Sequence, residues 1–227
     1  MKMHHLHDRV NKEIYLRAAK WLAWGLIACL IIAAAFLYGA SWYYSHKMEK
    51  FKNSVEVTES KAYQSAIDQV ISQAEKKISE SKSEHERWLA LKDLAFFEVD
   101  KGKLDEAQAY ANELLALAQK YKNDPFYGNA LHIGHISLGR IALKRNNISE
   151  ATKQMLEAGR TPGSPELRDF GPNMLLAQEL FQKGQKDAVL EYIGLCGKFW
   201  KSDKIKFWQD TIKQNGIPDF DSNLFRV

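Results

Sequence analysis

Hydrophobic and polar positions divide the chain into two parts. The first part ends with residues 21–44, WLAWGLIACLIIAAAFLYGASWYY, which contain no charged side chain. A helix of about 20 apolar residues can cross the hydrocarbon core of a bilayer, and aromatic residues stand at both ends of this run, as they do at lipid headgroups. A cleaved signal peptide has a shorter apolar region, and a buried core helix is the other alternative. The run predicts an uncleaved transmembrane signal anchor.

After a polar connector, residues 45–59, the apolar residues of 60–227 recur with the period of an α-helix. The first stripe consists of Tyr63, Ala66, Ile67, Val70, Ile71, Ala74 and Ile78. Further stripes are separated by the segment SESKSE, by Gly102 and by Asn146-Asn147. No segment alternates as a β-strand would. The pattern predicts an all-α domain behind an N-terminal transmembrane helix.

Capping residues suggest where several of these helices begin. Asp124 is predicted as the N-cap, and Pro125 as the first residue, of the helix that contains LHIGHISLGRIAL. Pro172 is predicted to open a later helix, and Ser202 to cap the last one. The apolar stripe of that last helix, with lysines on its other side, is typical of a helix that caps a solenoid.

Small residues recur as they do in tetratricopeptide repeats, in which paired helices cross closely. Ala107, Ala151 and Val189 align at one position of three successive units. The packing pair of each first helix is then Leu94-Ala95, Leu138-Gly139 or Leu176-Ala177. The spacings are wider than the usual 34 residues. The domain therefore resembles a degenerate tetratricopeptide-like solenoid of helical hairpins.

The positive charge of the chain is concentrated at its N-terminus. Of 227 residues with a net charge of +4, residues 1–20 contain five basic and two acidic side chains, and the rest of the chain is almost neutral. A neutral domain is a poor ligand for nucleic acid. The positive-inside rule predicts a cytoplasmic tail, residues 1–20. The difference in positive charge between the two flanks is small, because the other flank contains Lys47, Lys50, Lys52 and Lys61. We expect a single pass through a bacterial inner membrane, with the C-terminal domain periplasmic or otherwise extracytoplasmic.

The segment LHIGHISLGR, residues 131–140, contains the string His-Ile-Gly-His of class I aminoacyl-tRNA synthetases. In those enzymes the string follows the first strand of an α/β nucleotide-binding fold, whereas here it lies within a predicted helix. The match is therefore interpreted as chance. His132 and His135 share a helix face, but no carboxylate lies within a turn, and the spacing of a zinc motif is absent. No metal, cofactor or catalytic residue is predicted from the sequence.

If the solenoid binds a peptide in its groove, the first helix of each hairpin lines that groove. The candidate protein-binding residues are Tyr127, Asn129, His132, Ser137, Arg140, Asn173 and Gln178. The segment AGRTPGSPELRDFGPN is rich in turn residues. It is interpreted either as a functional loop or as the connection that turns one hairpin onto the next.

The segments LHIGHISLGRIAL, AGRTPGSPELRDFGPN, LCGKFW and PDF resemble those of an uncharacterised bacterial family of membrane-anchored tetratricopeptide-like proteins. This resemblance implies a fold but no activity. The layout of anchor and repeats is also similar to periplasmic proteins that work beside the secretion translocon and its chaperones. We expect an interaction scaffold that assists an envelope machine. The alternatives are a self-associating membrane protein and an enzyme without a recognisable motif.

Overall fold

The computed structural model describes residues 61–224, and within that range every regular element is helical. This confirms the all-α prediction for the described residues. The helices are α1 Lys61–Glu80, α2 Glu84–Phe97, α3 Leu104–Ala118, α4 Tyr127–Lys144, α5 Ile148–Gly159, α6 Pro165–Phe170, α7 Leu175–Gln182, α8 Lys186–Cys196 and α9 Asp203–Lys213, followed by a 3-10 turn at Asp221–Asn223. The predicted tail, anchor and connector, residues 1–59, lie outside the described residues. No helix of residues 61–224 is both long and apolar enough to cross a membrane.

The helices pack as successive hairpins. Helix α1 packs on α2, and the pairs α2–α3, α4–α5 and α7–α8 follow, with α4 also against α2 and α3, and α9 against α8. Tight turns close these pairs, with Gly102 at φ 75° and Asn146 at φ 60°, a conformation that glycine and asparagine tolerate best. The helix breaks at SESKSE, Gly102 and Asn146-Asn147 are therefore confirmed.

Small side chains lie where the helices cross. These small residues, all of them buried, are Ala95, Ala107, Ala111, Gly139, Ala151, Ala158, Ala177, Val189 and Cys196. A Cβ on Gly139 would overlap a methyl group of Leu176 and lie 3.2 Å from the carbonyl oxygen of Ala151. Helices α4, α5 and α7 therefore approach each other too closely at this point for a larger residue.

Two predicted helix starts are wrong by a few residues. Helix α4 begins at Tyr127 rather than Pro125, because the Asp124 carboxylate accepts a hydrogen bond from the Phe126 backbone N–H (2.8 Å) and holds a turn there. Helix α7 begins at Leu175 rather than Pro172, because the Asn173 side chain accepts from the Leu175 N–H (2.9 Å). Ser202 is confirmed as the N-cap of α9.

Candidate interaction site

The structure buries most of the residues that the sequence suggested for partner binding. Asn129, His132, Ser137, Arg140 and Asn173 are each at most 3% exposed, whereas Tyr127 and Gln178 are half-buried. A buried side chain offers no surface to a partner in this conformation. The roles of Tyr127 and Gln178 stay predictions. Among the other five, the Asn129, His132, Arg140 and Asn173 side chains have hydrogen-bond partners within the domain, whereas the buried Ser137 hydroxyl has none among the described residues.

His132 links three helical elements. Its Nε2 atom accepts a hydrogen bond from the Asn173 backbone N–H (3.0 Å), so this nitrogen carries no proton. The Nδ1 atom therefore carries the proton of the neutral ring and donates it to the carbonyl oxygen of Ala158 (3.1 Å). The Asn173 carbonyl oxygen accepts in turn from the Tyr192 hydroxyl (2.6 Å). Helices α4, α5 and α8 are thus joined to the segment that precedes α7.

This geometry needs a neutral imidazole. Burial lowers the pKa of His132 from 6.5 to about 4, because the charged form would lose its hydration. Protonation of Nε2 would also replace this acceptor by an N–H that points at the Asn173 N–H, so the hydrogen bond would be lost. The His132 network therefore acts as a structural connection at neutral pH, and metal binding would require one of its two bonds to be given up.

Arg140 forms a second buried connection, between α2, α4 and α7. Its guanidinium donates to the Asp100 carboxylate (2.5 Å) and lies over the Phe96 ring, 4.7 Å from the ring centroid. Arg140 Nε lies 4.0 Å from a Glu179 oxygen, beyond hydrogen-bond distance. The Tyr63 hydroxyl of α1 donates to the other Asp100 oxygen (3.1 Å), and burial, with the Asp100 charge, raises the pKa of Tyr63. The cluster therefore brings together residues of α1, of α2 and the turn after it, of α4 and of α7.

An open depression lies where two loops meet, between α3 and α4 and between α5 and α6. Its volume is about 420 Å³. It is lined by Lys122, Asn123, Asp124, Pro125, Tyr127, Gly128, Pro162, Gly163, Ser164, Pro165 and Arg168. We call this feature the loop depression. It is formed from the distinctive segments NDPFYGN and TPGSP, and it contains Tyr127 of the predicted binding residues.

Internal hydrogen bonds fix the two loops to each other. The Thr161 hydroxyl donates to the Gly128 carbonyl oxygen (2.7 Å), and the Asn129 amide donates to the Glu166 carboxylate (2.6 Å). A Cβ on Gly128 would overlap the backbone of Gly163, so the chains touch directly. The short helix α6 follows the TPGSP segment and was not predicted from the apolar stripes of the sequence. Its N-cap is Ser164, whose hydroxyl accepts a hydrogen bond from the Leu167 N–H (3.0 Å).

An aromatic cluster supports the other side of the loop depression. The Trp88 ring stacks on Tyr121 (centroids 4.9 Å apart) and meets Phe126 edge-on. His85 lies edge-on to Tyr121 and within 2.9 Å of the Asp124 carboxylate, which is thereby already engaged. Among residues 61–224, by contrast, the side chains of Lys122 and Arg168 are exposed and form neither a hydrogen bond nor an ion pair.

The C-terminal segment closes the FGPN loop. The Asn223 side-chain amide donates to the carbonyl oxygens of Phe170 (3.0 Å) and Pro172 (3.2 Å), and the Asn223 backbone carbonyl oxygen accepts from the Met174 N–H (2.9 Å). Gly171 lies against the Trp200 ring, where a Cβ would come within 2.6 Å. The segments LCGKFW and FGPN are therefore in contact, which accounts structurally for two of the segments on which the sequence resemblance depends.

Sequence reasoning missed Tyr63, Asp100, Glu179 and Asn223, because each meets its partner across a long stretch of chain. Ser164-Pro165 was a usable signal for α6, since a serine cap followed by proline at the first helical position is a common helix start. Within the described part of the chain, no three His, Cys, Asp or Glu side chains are arranged to hold a metal ion. Comparison with protein-family models, with curated proteins and with solved structures finds no significant match to the chain.

Proposed function

We propose that the protein is a membrane-anchored scaffold for protein–protein interaction that assists an envelope machine in secretion or assembly. Residues 21–44 are its single transmembrane anchor, residues 1–20 its cytoplasmic tail, and residues 60–227 its periplasmic domain. The observation that carries this proposal is the loop depression, an open and internally braced surface in a domain of helical hairpins.

The loop depression has the properties of a protein-docking surface. Pro125, Pro162 and Pro165 are exposed, and Tyr127 is half-buried beside them. Proline and tyrosine lose little conformational entropy when a partner covers them, and tyrosine is enriched in interface cores. Because the two loops are already fixed to each other, binding does not have to order them.

The hairpin packing supports a tetratricopeptide-like solenoid as the framework. In all three units the small residue of the first helix, Ala95, Gly139 or Ala177, is buried. So is the aligned residue of the second helix, Ala107, Ala151 or Val189. This is the spacing by which such repeats bring their two helices together. Membership of the uncharacterised bacterial family belongs to the same proposal and rests on the segments quoted above.

An anchor gives such a scaffold a simple advantage. A domain confined to a membrane surface meets membrane-bound partners at a higher effective concentration than a freely diffusing one. In this proposal the anchor acts as a tether. Its replacement by an unrelated membrane-spanning sequence is therefore expected to preserve partner binding.

Chemical cross-linking of the tagged full-length chain in intact cells tests the proposal. We expect translocon, chaperone or assembly components of the envelope to be recovered, both with the native anchor and with a substituted one. Recovery of cytoplasmic proteins alone would overturn the orientation. Recovery of the chain alone would contradict the scaffold and leave a self-associating membrane protein.

A further inference from the structure

We propose that the loop depression binds an extended protein segment that carries acidic side chains on either side of an apolar one. This inference rests on the proposed scaffold function and names the chemistry of the partner. It follows from two properties of the same surface, its uncompensated positive charge and its rigid apolar floor.

The charge of the loop depression is not balanced within the described residues. Lys122 lines it from the loop before α4 and Arg168 lines it from helix α6, and both side chains are exposed without a hydrogen bond or ion pair in residues 61–224. The one acidic side chain in the lining, Asp124, is held by His85 at 2.9 Å and by the Phe126 N–H at 2.8 Å. Glu166 lies outside the lining and is bound to Asn129. Two unpaired cations, one from each of the two segments that meet here, therefore favour a partner with acidic groups.

The lining also has an apolar part, to which both of these segments contribute. It consists of the pyrrolidine rings of Pro125, Pro162 and Pro165 and the ring of Tyr127. Such a surface accepts the side chain of an apolar residue but contributes no further charge. In an extended segment every second side chain points to the same face, so residues i, i+2 and i+4 can present an acidic, an apolar and an acidic group to one open depression.

The shape of the depression is fixed before any partner arrives. Gly163 adopts φ 84°, and a Cβ there would come within 2.7 Å of Phe199, so the TPGSP loop is held against the domain behind it. The Thr161–Gly128 hydrogen bond joins this loop to the start of α4. A preformed surface loses less free energy to ordering on binding than a mobile loop does.

The test begins with a random peptide library displayed on phage and panned on the purified full-length chain in detergent micelles. We expect selected peptides to be enriched in Asp and Glu around an apolar position. The best selected peptide is then synthesised with a fluorescent label and titrated by anisotropy against two charge-reversal variants. One is Lys122→Glu/Arg168→Glu. The matched control is Lys183→Glu/Lys213→Glu, which reverses two exposed lysines outside the depression.

We expect the first variant to bind the peptide at least about tenfold more weakly, because two attractive contacts become repulsive, and the control to bind within about twofold. Equal helical circular dichroism of the three proteins excludes unfolding as the cause. Selected peptides without acidic enrichment, or equal weakening in both variants, would overturn the inference. So would displacement of the peptide by a free dicarboxylate at similar concentration, which would indicate a small acidic ligand instead.

Failure of this inference can be distinguished from failure of the scaffold function. If the Lys122→Glu/Arg168→Glu variant still recovers the same envelope partner in cells as the unmodified chain, the acidic segment is excluded and the scaffold remains. If neither chain recovers a partner in cells, the scaffold itself is contradicted.

Discussion

His132 and Arg140 both lie in helix α4, and both are buried polar residues whose partners are distant in sequence. His132 reaches Ala158 and the backbone of Asn173, and Arg140 reaches Asp100. Burial of a polar group is costly unless hydrogen bonds replace those to water. Both side chains therefore specify how neighbouring helices are placed, and both make the fold sensitive to changes at a single residue.

The His132 network predicts a dependence of stability on pH. The pKa of His132 is about 4 in the folded protein, below the 6.5 of an unperturbed histidine, so the unfolded chain takes up the proton first. Its stabilising contribution is complete above pH 6.5 and decreases as the pH falls towards 4, by about 3 kcal/mol in all. Urea unfolding at pH 7, 5.5 and 4.5 measures this decrease. In His132→Gln, which cannot titrate, the decrease between pH 7 and pH 4.5 should be smaller by about 2–3 kcal/mol, and an unchanged pH dependence would contradict the assignment.

Arg140 is predicted to contribute far more to the free energy of unfolding than a comparable surface arginine does. Arg140→Met leaves the Asp100 carboxylate, 8% exposed, without its cation, and should lower the free energy of unfolding by about 3–5 kcal/mol. The control is Arg145→Met, which removes an ion pair to the exposed Asp105 and should cost less than about 1 kcal/mol. Urea denaturation of both variants measures the two losses in free energy of unfolding. Equal costs would mean that the Arg140 cluster does not hold α2, α4 and α7 together.

At the scale of elements, glycines within helices have opposite roles according to what lies beside them. Gly139 faces α5 and α7 at close range, whereas Gly194 of α8 is exposed, with the flexible Gln209 side chain as the nearest neighbour at 3.4 Å. Gly139→Ala should destabilise the domain by about 1–3 kcal/mol through overpacking. Gly194→Ala should stabilise it by about 0.5–1 kcal/mol through helix propensity. Thermal unfolding measures both, and a stabilised Gly139→Ala would refute the close crossing.

The C-terminal segment is predicted to stabilise the FGPN loop. Asn223→Ala leaves the carbonyl oxygens of Phe170 and Pro172 without their donor, which should cost about 1–3 kcal/mol. Amide hydrogen exchange should become faster in residues 170–174 and in the C-terminal segment together. The control is Gln214→Ala, at an exposed position, which should change neither the free energy of unfolding nor the hydrogen exchange of these two segments. Faster exchange in only one of the two segments would indicate that they are not coupled.

Helix periodicity and turn residues were sufficient to predict most of these elements. Gly102, Asn146 and Ser202 act locally, through backbone conformation or a hydrogen bond two residues away, so they can be recognised in the sequence. The helix start at Tyr127 could not be read from Asp124-Pro125 alone, because the turn there also depends on His85, 39 residues earlier. A helical pattern also cannot distinguish a polar residue that lines a groove from one that meets a distant partner. Arg140 is the clearest case.

At the scale of the whole molecule, the proposed binding site is the loop depression, whereas the sequence alone predicted the faces of the first helix in each hairpin. The exposed prolines of NDPFYGN and TPGSP line the loop depression, and the regular helices position these segments. Binding surfaces are often built in this way, on loops held by a rigid framework. If residues 21–44 act as the proposed membrane anchor, they decide which partners that surface meets.

Site-specific photo-cross-linking in intact cells tests this account most directly. A photoreactive amino acid replaces the exposed Pro162 in the loop depression of the full-length chain, and Lys183, exposed at the turn between α7 and α8, serves as the control position. The account predicts that an envelope protein is captured at Pro162 and not at Lys183, and that Lys122→Glu/Arg168→Glu abolishes its capture. Capture of the same partner at Lys183 alone, or from both positions regardless of those charges, would contradict it.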